Sequence, residues 1–200
     1  MFDKVYLASG SPRRRELLSQ IGVAFEVNPV DLDESEWVGE SPEDYVRRLA
    51  IGKAAAGWDA IETAAKPLLP VIGADTSVIL EGQILGKPTD REHGIQMLRS
   101  LSGNRHTVLS AVAMQFQHRV ECLLSVTDVI FRQLPDALIE RYWQTGEPAD
   151  KAGAYGIQGF AAVFVARIEG SYSGVVGLPL LETSQLLERF DVSYWQTGPE

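Results

Sequence analysis

The sequence contains a single cysteine, Cys122, and only three histidines among its 200 residues. An intramolecular disulfide and a multi-thiolate metal site are therefore excluded, and one lone thiol is typical of a protein in a reducing compartment. We interpret Cys122 as a small core residue. His93, His106 and His118 lack the spacing of metal ligands, so we interpret them as surface or core histidines.

Long apolar runs and an excess of positive charge are also absent. No stretch of eighteen apolar residues occurs, and no signal peptide precedes the first predicted strand, so we expect a soluble cytoplasmic protein without a membrane partner. The 27 acidic residues outnumber the 18 basic residues and give a net charge of −9. This balance argues against binding to a nucleic-acid polymer and favours a small anion as the ligand of any local basic cluster.

The length and composition fit a globular protein with a sizeable core. Of the 200 residues, 45% are hydrophobic, which is enough for one domain or for two closely packed lobes. No repeat or low-complexity segment divides the chain, so we interpret residues 1–200 as a single domain. The tail from Asp191 to Glu200 is predicted to be frayed.

Strand and helix patterns alternate at first, and two long strands follow. Predicted helices cover 12–21, a segment that begins at Ser41, a segment that ends at Leu101, 135–144, and a segment that ends near Phe190. Predicted strands cover 6–8, 24–28, 71–80, 105–116, 120–133 and 160–168, and residues 56–70 are interpreted as a linker. The pattern predicts an α/β fold with a long, twisted, mixed sheet, parallel at first and antiparallel from Arg105 onward.

The opening segment combines a short strand, a turn and a basic helix start. Gly10 permits the turn, Ser11 can cap the helix through its hydroxyl, and Pro12 suits the first helical position. Three arginines follow at 13–15, against the preference of a helix N-terminus for acids. An anion bound there would offset that cost, so this is a candidate phosphate site. The alternative is a solvated basic helix end.

Helical geometry separates the three arginines. Successive residues point about 100° apart, so one ligand does not meet all three. We expect Arg13 and Arg14 to reach a cleft and Arg15 to be solvated. The segment is not a Walker loop, because no Gly-Lys-Ser/Thr follows the glycine.

Two charged residues fall where apolar side chains are expected. Lys53 lies on the apolar stripe of the second helix, so its ammonium either meets an anion or reaches water along the stem. Asp75 lies inside the apolar strand 71–80. It is either a satisfied structural aspartate or a catalytic base or metal ligand, and we favour the functional interpretation.

In the acidic loop 31–40, Glu34 or Asp33 is a candidate cation ligand and the other acids are interpreted as solvated.

Six short motifs occur in chain order. They are Ser9-Gly10-Ser11-Pro12-Arg13-Arg14, Gly73-Ala74-Asp75-Thr76, Leu85-Gly86-Lys87-Pro88, Leu101-Ser102-Gly103, the run Asp150-Lys151-Ala152-Gly153-Ala154-Tyr155-Gly156-Ile157-Gln158-Gly159, and Val176-Gly177-Leu178-Pro179. Together they resemble the Maf family of nucleoside triphosphate pyrophosphatases. The resemblance extends to about Phe190. Each motif alone is weak, whereas six in order are specific.

This resemblance implies a fold, an activity and a cofactor. The implied fold is Maf/ITPase-like: an elongated, strongly twisted mixed β-sheet flanked by helices, with two lobes around a central cleft. The implied activity is hydrolysis of a nucleoside triphosphate to the monophosphate and pyrophosphate with a divalent metal cation, Mg²⁺ or Mn²⁺. The loop at 150–159 resembles the branch that acts on dTTP and UTP, including modified pyrimidine nucleotides in a house-cleaning role. A homodimer is also implied.

The resemblance also assigns residues. Asp75 matches the proposed proton acceptor, with metal ligation as the alternative. Arg13, Thr76 and Gln158 match positions linked to substrate choice. Residues of the phosphate pocket match Ser9, Arg14, Lys53 and Lys87. Glu34 is carried as a candidate metal ligand.

The side chain of Gln158 suits the base of a uracil or thymine nucleotide. Its amide offers one donor and one acceptor, and the base edge presents O4 as acceptor and N3–H as donor. Cytosine reverses that pattern. We therefore expect Gln158 to read the base.

Three alternatives stay open on the sequence. One is a nucleotide-binding regulator of cell division or septum formation without turnover. Another is a pyrophosphatase of the 7-methyl-GTP type, whose family branch differs in the 150–159 loop. The third is a nucleic-acid-binding protein that uses the arginine cluster, which the net charge of −9 opposes.

Overall fold

The computed structural model describes residues 1–196, which form a seven-stranded mixed β-sheet with helices packed against it. The strands are β1 (Lys4–Leu7), β2 (Ala24–Val27), β3 (Val71–Leu80), β4 (Gln83–Leu85), β5 (Arg105–Phe116), β6 (Arg119–Phe131) and β7 (Val165–Glu169). The helices are α1 (Pro12–Gln20), α2 (Pro42–Thr63), α3 (Arg91–Leu101), α4 (Asp136–Trp143), α5 (Tyr172–Val176) and α6 (Leu180–Arg189). The predicted α/β class with a mixed sheet is confirmed.

The strand order is β2-β1-β3-β5-β6-β7, and β4 pairs with β3 off this path. The strands β2, β1 and β3 are parallel, because α1 and α2 return the chain across the sheet between them. From β3 to β7 each neighbouring pair is antiparallel, and the β5–β6 pair is a long hairpin. The predicted division into a βαβ-like part and an antiparallel part is therefore confirmed.

One edge of β3 is interrupted in its middle. Along that edge β3 pairs with β1 at Val71 and Ile72, and with β4 from Val78 to Leu80. Among the described residues, 73–77 have no strand partner on this side, although β5 pairs with all of them on the other side. The sheet therefore has a gap here, and side chains from both faces of β3 can reach the same space.

Helix α2 packs very closely on β3 beside this gap. A Cβ atom on Gly73 would lie 2.3 Å from the carbonyl oxygen of Ala50 and 2.4 Å from the backbone nitrogen of Ala54. Only glycine fits at that distance. Since residues 73 and 75 share one face of the strand, this contact brings α2 against Asp75.

Three segments differ from the sequence prediction. Residues 56–63 are not a linker, because α2 continues to Thr63 with Trp58 and Ile61 buried at helical spacing. The predicted strand over 160–168 begins only at Val165, and Phe160–Phe164 form a 3₁₀ helix. The short helix α5 was not predicted.

The tail also differs from prediction. Residues 191–196, predicted to be frayed, are bound to the rest of the chain: Val192 pairs with Phe2, and the N–H groups of Trp195 and Gln196 donate to the carbonyls of Ile21 and Gly22. Residues 197–200 lie outside the described residues. No helix in 1–196 has the length and apolar character needed to span a membrane.

Candidate active site

A cleft of about 450 Å³ opens at the gap in the edge of β3. Every candidate named from the sequence for the substrate or for catalysis, together with Glu34, lines this cleft: Ser9, Arg13, Arg14, Glu34, Lys53, Asp75, Thr76, Lys87 and Gln158. These residues come from segments far apart in the chain. The structure thus brings together the residues that the resemblance implied and Glu34, the candidate from the acidic loop.

Asp75 and Lys53 form an ion pair on the α2 side of the cleft. Nζ of Lys53 lies 2.8 Å from Oδ1 of Asp75 and 2.6 Å from Oε1 of Glu34. The Asp75 residue is only 7% exposed, and Ser77 Oγ lies 3.5 Å from its second carboxylate oxygen. Of the two outcomes left open for Lys53, the structure therefore shows the one in which its ammonium meets anions.

Glu34 is the exposed end of this cluster. Burial alone would raise the pKa of Glu34. The hydrogen bond and charge of Lys53, together with the charges of Lys87 and Arg14, outweigh this effect, so the pKa lies below its ordinary value. Asp33, the alternative named from the sequence, does not line the cleft. Its carboxylate instead accepts hydrogen bonds from the N–H and hydroxyl of Ser35 at 2.9 and 2.6 Å.

The loop that carries Glu34 is held by α2. Tyr45 donates its hydroxyl to the carbonyl of Glu34 at 2.9 Å, and burial raises the pKa of Tyr45 to about 12, so this donor keeps its proton. Arg48 binds both carboxylate oxygens of Glu40 at 2.6 and 2.7 Å and stacks 4.1 Å from the Trp37 ring. The prediction that Glu40 is solvated is therefore wrong, because its carboxylate is paired with Arg48.

Arg14 lies in the first turn of α1 and joins two segments. Its guanidinium donates to Ser9 Oγ at 3.1 Å and to the carbonyl of Gly177 at 2.9 Å. Burial lowers the pKa of Arg14, and the carboxylates of Asp75 and Glu34 partly offset this, but a guanidinium stays charged. Arg15 is exposed, as predicted.

The turn is stabilised differently from the prediction. Ser11 occupies the helix N-cap position, but its hydroxyl makes no capping hydrogen bond. Instead, Ser9 Oγ accepts from the N–H of Ser11 at 3.2 Å. Ser9 therefore supports both the turn and the Arg14 side chain.

Thr76 faces the cleft from the opposite side of the sheet to Asp75. Neighbouring residues of a strand point to opposite faces, and the gap beside β3 lets both reach one cavity. The Thr76 hydroxyl lies 2.9 Å from Ser110 Oγ, and Ser110 donates to the carbonyl of Gly174 at 2.6 Å. This link from β3 to α5 was not predicted.

The loop that presents Gln158 is anchored by Glu147. The Glu147 carboxylate accepts from the hydroxyl of Tyr142 at 2.8 Å and from the N–H of Phe160 at 2.9 Å. The hydroxyl of Tyr142 also accepts from the N–H of Gly156 at 3.2 Å. These bonds hold the backbone on both sides of the exposed Gln158. Neither Glu147 nor Tyr142 was predicted as an anchor of this loop.

The charge of the cleft is opposite to that of the whole chain. Its lining includes five cationic side chains and three carboxylates, although the net charge of the chain is −9. One of the cations is Lys151, which pairs with Asp150 and lowers the pKa of that carboxyl group. A local positive site in an acidic protein suits a polyanionic ligand of small size.

Preformed metal cages are absent from the described part of the chain. In residues 1–196 no three or more His, Cys, Asp or Glu side chains form a group suited to a metal ion. Two carboxylates, those of Asp75 and Glu34, converge on one ammonium within 2.8 Å. This donor set fits Mg²⁺ or Mn²⁺ held by one or two carboxylates and by the phosphates of a substrate.

Comparison with known proteins shows the family to which the chain is related. A family model described as "Maf-like protein" matches residues 4–190. The chain is 56% identical to a dTTP/UTP pyrophosphatase of Alkalilimnicola ehrlichii over 95% of this chain and 94% of the relative. It is 54% identical to a dTTP/UTP pyrophosphatase of Saccharophagus degradans over 96% and 91%, and 51% identical to one of Nitrosomonas europaea over 94% and 95%.

Proposed function

The chain belongs to the Maf-like protein family, and on that premise we propose that it hydrolyses dTTP and UTP to the nucleoside monophosphate and pyrophosphate. The observation that carries this proposal is that four cationic side chains from three segments line one cleft together with the buried carboxylate of Asp75. The names of the similar proteins support the choice of substrates. Modified pyrimidine nucleotides are included as candidate substrates.

The cations of the cleft would hold the triphosphate. Arg13 and Arg14 come from the start of α1, Lys53 from α2 and Lys87 from the segment after β4. Phosphoryl transfer needs positioned phosphates and neutralised oxygens, and the departing pyrophosphate carries several negative charges. Four cations from three segments of one cleft suit this long anion better than they suit a single phosphate.

Asp75 would act on the attacking water. In the proposed reaction, the water oxygen bonds to the α-phosphorus as the bond to the bridging oxygen of pyrophosphate breaks. The carboxylate of Asp75 accepts the proton that the water releases. The ion pair with Lys53 at 2.8 Å holds this carboxylate in a fixed orientation.

Asp75 and Glu34 are the side chains suited to hold a divalent cation beside the phosphates. When bound, Mg²⁺ or Mn²⁺ would neutralise phosphate oxygens and lower the pKa of a bound water. The two roles of Asp75, base and metal ligand, both require its carboxylate. Titration of Mg²⁺ or Mn²⁺ with an Asp75→Asn variant separates them, because only the ligand role predicts weaker metal binding.

Gln158, Arg13 and Thr76 are proposed to select the nucleotide. All three line the cleft, and Gln158 lies at the exposed end of the anchored loop. The amide of Gln158 can donate to O4 of uracil or thymine. If a Gln158→Ala variant lowered turnover of dTTP and CTP by the same factor, base reading by this residue would be ruled out.

The test of the proposed function is a turnover panel over the common nucleoside triphosphates, 7-methyl-GTP and several modified pyrimidine triphosphates, with Mg²⁺ or Mn²⁺. We expect dTTP and UTP to give the highest kcat/KM. Preference for 7-methyl-GTP would assign the chain to another substrate class. Binding without turnover of any nucleotide would support a regulator instead.

Two expectations from the sequence stay predictions: the homodimer that the resemblance implies and the cytoplasmic location that the composition indicates. A homodimer is tested by light scattering on the full chain. A cytoplasmic location is tested by fractionation of cells that express it.

A further inference from the structure

Ser110 is a buried serine to which the proposed mechanism gives no role. It lies on β5 directly opposite Thr76 of β3 and is only 1% exposed. Its Oγ lies 2.6 Å from the carbonyl oxygen of Gly174 and 2.9 Å from Oγ1 of Thr76. Ser110 therefore stands between helix α5 and a side chain that lines the cleft.

A count of protons fixes the direction of these two hydrogen bonds. A carbonyl oxygen only accepts, so Ser110 must donate its single hydroxyl proton to Gly174. Its oxygen is then free only to accept, and the hydroxyl proton of Thr76 must point toward Ser110. The Thr76 oxygen consequently offers lone pairs, and no proton, to whatever occupies the cleft.

We propose that Ser110 makes Thr76 an obligate hydrogen-bond acceptor toward the nucleotide base, and so acts as a positioning residue for base selection. This inference rests on the proposed function, since it concerns which triphosphate the same cleft selects. Thymine and uracil carry an N3–H donor, which such an oxygen satisfies. N3 of cytosine carries a lone pair instead, so this nitrogen and the Thr76 oxygen would be two acceptors facing each other without a proton between them.

This arrangement divides the recognition of the base between two side chains. With N3–H bound to Thr76, Gln158 is needed only to donate to O4. Rejection of a base that leaves buried polar groups unpaired is stronger than rejection by shape alone. The selection therefore acts on the proton at N3, which differs between thymine or uracil and cytosine.

The test is a Ser110→Ala variant, assayed with dTTP against dCTP and with UTP against CTP. Loss of the serine oxygen lets the Thr76 hydroxyl rotate and donate to cytosine. We expect the ratio of kcat/KM for dTTP over dCTP to fall about tenfold, mainly through faster turnover of dCTP. An unchanged ratio, or equal changes for both nucleotides, would overturn the proposal.

Ser125→Ala provides a matched control. Ser125 is also buried and lies directly opposite Ser110, but on β6, so β5 separates it from Thr76. We expect this variant to keep the wild-type ratio. A ratio that fell equally in both variants would show a packing effect and would contradict the specific role of Ser110.

A second variant covers the case in which Ser110→Ala does not fold. Thr76→Val keeps the shape of the side chain and removes its oxygen, so it should also lose the preference for bases with N3–H. Retention of the wild-type preference would overturn the proposal.

Equilibrium binding separates this proposal from the proposed function. Non-hydrolysable α,β-methylene analogues of dTTP and dCTP are used as probes on the full chain. If wild-type protein binds the dTTP analogue more tightly, and Ser110→Ala loses that preference, the proposal stands even where turnover is absent. Equal binding of both analogues by wild-type protein contradicts it.

Discussion

Nζ of Lys53 lies 2.8 Å from Oδ1 of Asp75, and the same ammonium lies 2.6 Å from Oε1 of Glu34. One cation thus joins the buried carboxylate of β3 to the acidic loop. Its position follows from the close approach of α2 to Gly73, two residues before Asp75. This relationship links the packing of the fold to the chemistry proposed for the cleft.

Replacement of Lys53 by methionine should lower kcat/KM for dTTP by about 10²-fold, because a charge aimed at the phosphates and at Asp75 is lost. Steady-state release of pyrophosphate measures the effect. Lys4→Met is the control, since Lys4 also forms an ion pair, with Glu26, but with 42% of its side chain exposed. Equal losses in both variants would contradict a specific role for Lys53.

Arg14→Lys should raise KM for dTTP about tenfold with a smaller change in kcat, because lysine lacks the planar set of donors. Arginine binds Ser9 Oγ and the Gly177 carbonyl and still has N–H groups for a phosphate. Substrate titration at constant ionic strength measures KM. The exposed Arg15→Lys variant should behave as wild type, and a similar KM increase there would contradict a specific role for Arg14.

Glu147→Ala should loosen the loop that carries Gln158. It removes the acceptor of Tyr142 and Phe160, and the lost bonds should lower the melting temperature by about 5 °C for a chain of this size. Preference for dTTP over other triphosphates should fall with it. Glu140→Ala, which breaks only the surface pair with Arg91, should change neither quantity. An unchanged substrate preference in Glu147→Ala would separate the loop anchor from selectivity.

Acid should destabilise the fold through His106. Burial lowers the pKa of this histidine to about 4 from its ordinary 6.5, with Asp128 opposing the shift. Between these values the unfolded chain binds a proton that the folded chain does not. The contribution of His106 to the free energy of unfolding should therefore fall by about 3 kcal/mol at most as the pH drops from 6.5 to 4.

Urea unfolding at several pH values tests this contribution. His106→Gln should show a smaller loss of stability over that range than wild type, because its side chain does not titrate. His118→Gln lies on the exposed β5–β6 turn and should follow wild type. If both variants lost stability as wild type does, His106 would not be the group responsible.

Much of the candidate site could be predicted because its charged residues lie at positions where the sequence pattern calls for apolar side chains. A lysine on an apolar stripe and an aspartate inside an apolar strand are costly unless they meet, and they do meet at 2.8 Å. The basic start of α1 indicated an anion in the same way. The resemblance then supplied roles that spacing alone left open.

What the sequence did not predict depends on contacts between distant segments. The gap beside residues 73–77 exists because β1 pairs only with the start of β3 and β4 only with its end. The hydrophobic pattern of β3 does not indicate the register of these two neighbouring strands. The anchoring role of Glu147 and Tyr142 depends on their hydrogen bonds to the backbone of the 156–160 loop, and no motif in the sequence indicates these contacts. The end of α2 differs from the prediction because the alanine-rich residues from Ala56 onward indicate a linker, although the buried apolar stripe of the helix continues through Trp58 and Ile61.

The most direct test compares wild-type protein with Asp75→Asn in an assay that measures both products from dTTP. We expect equal amounts of dTMP and pyrophosphate from wild type, and a rate at least about 10²-fold lower for the folded Asp75→Asn variant. Asp59→Asn, on the exposed face of α2, should keep the wild-type rate. Full activity in Asp75→Asn, or dTDP and phosphate as the products, would contradict the account.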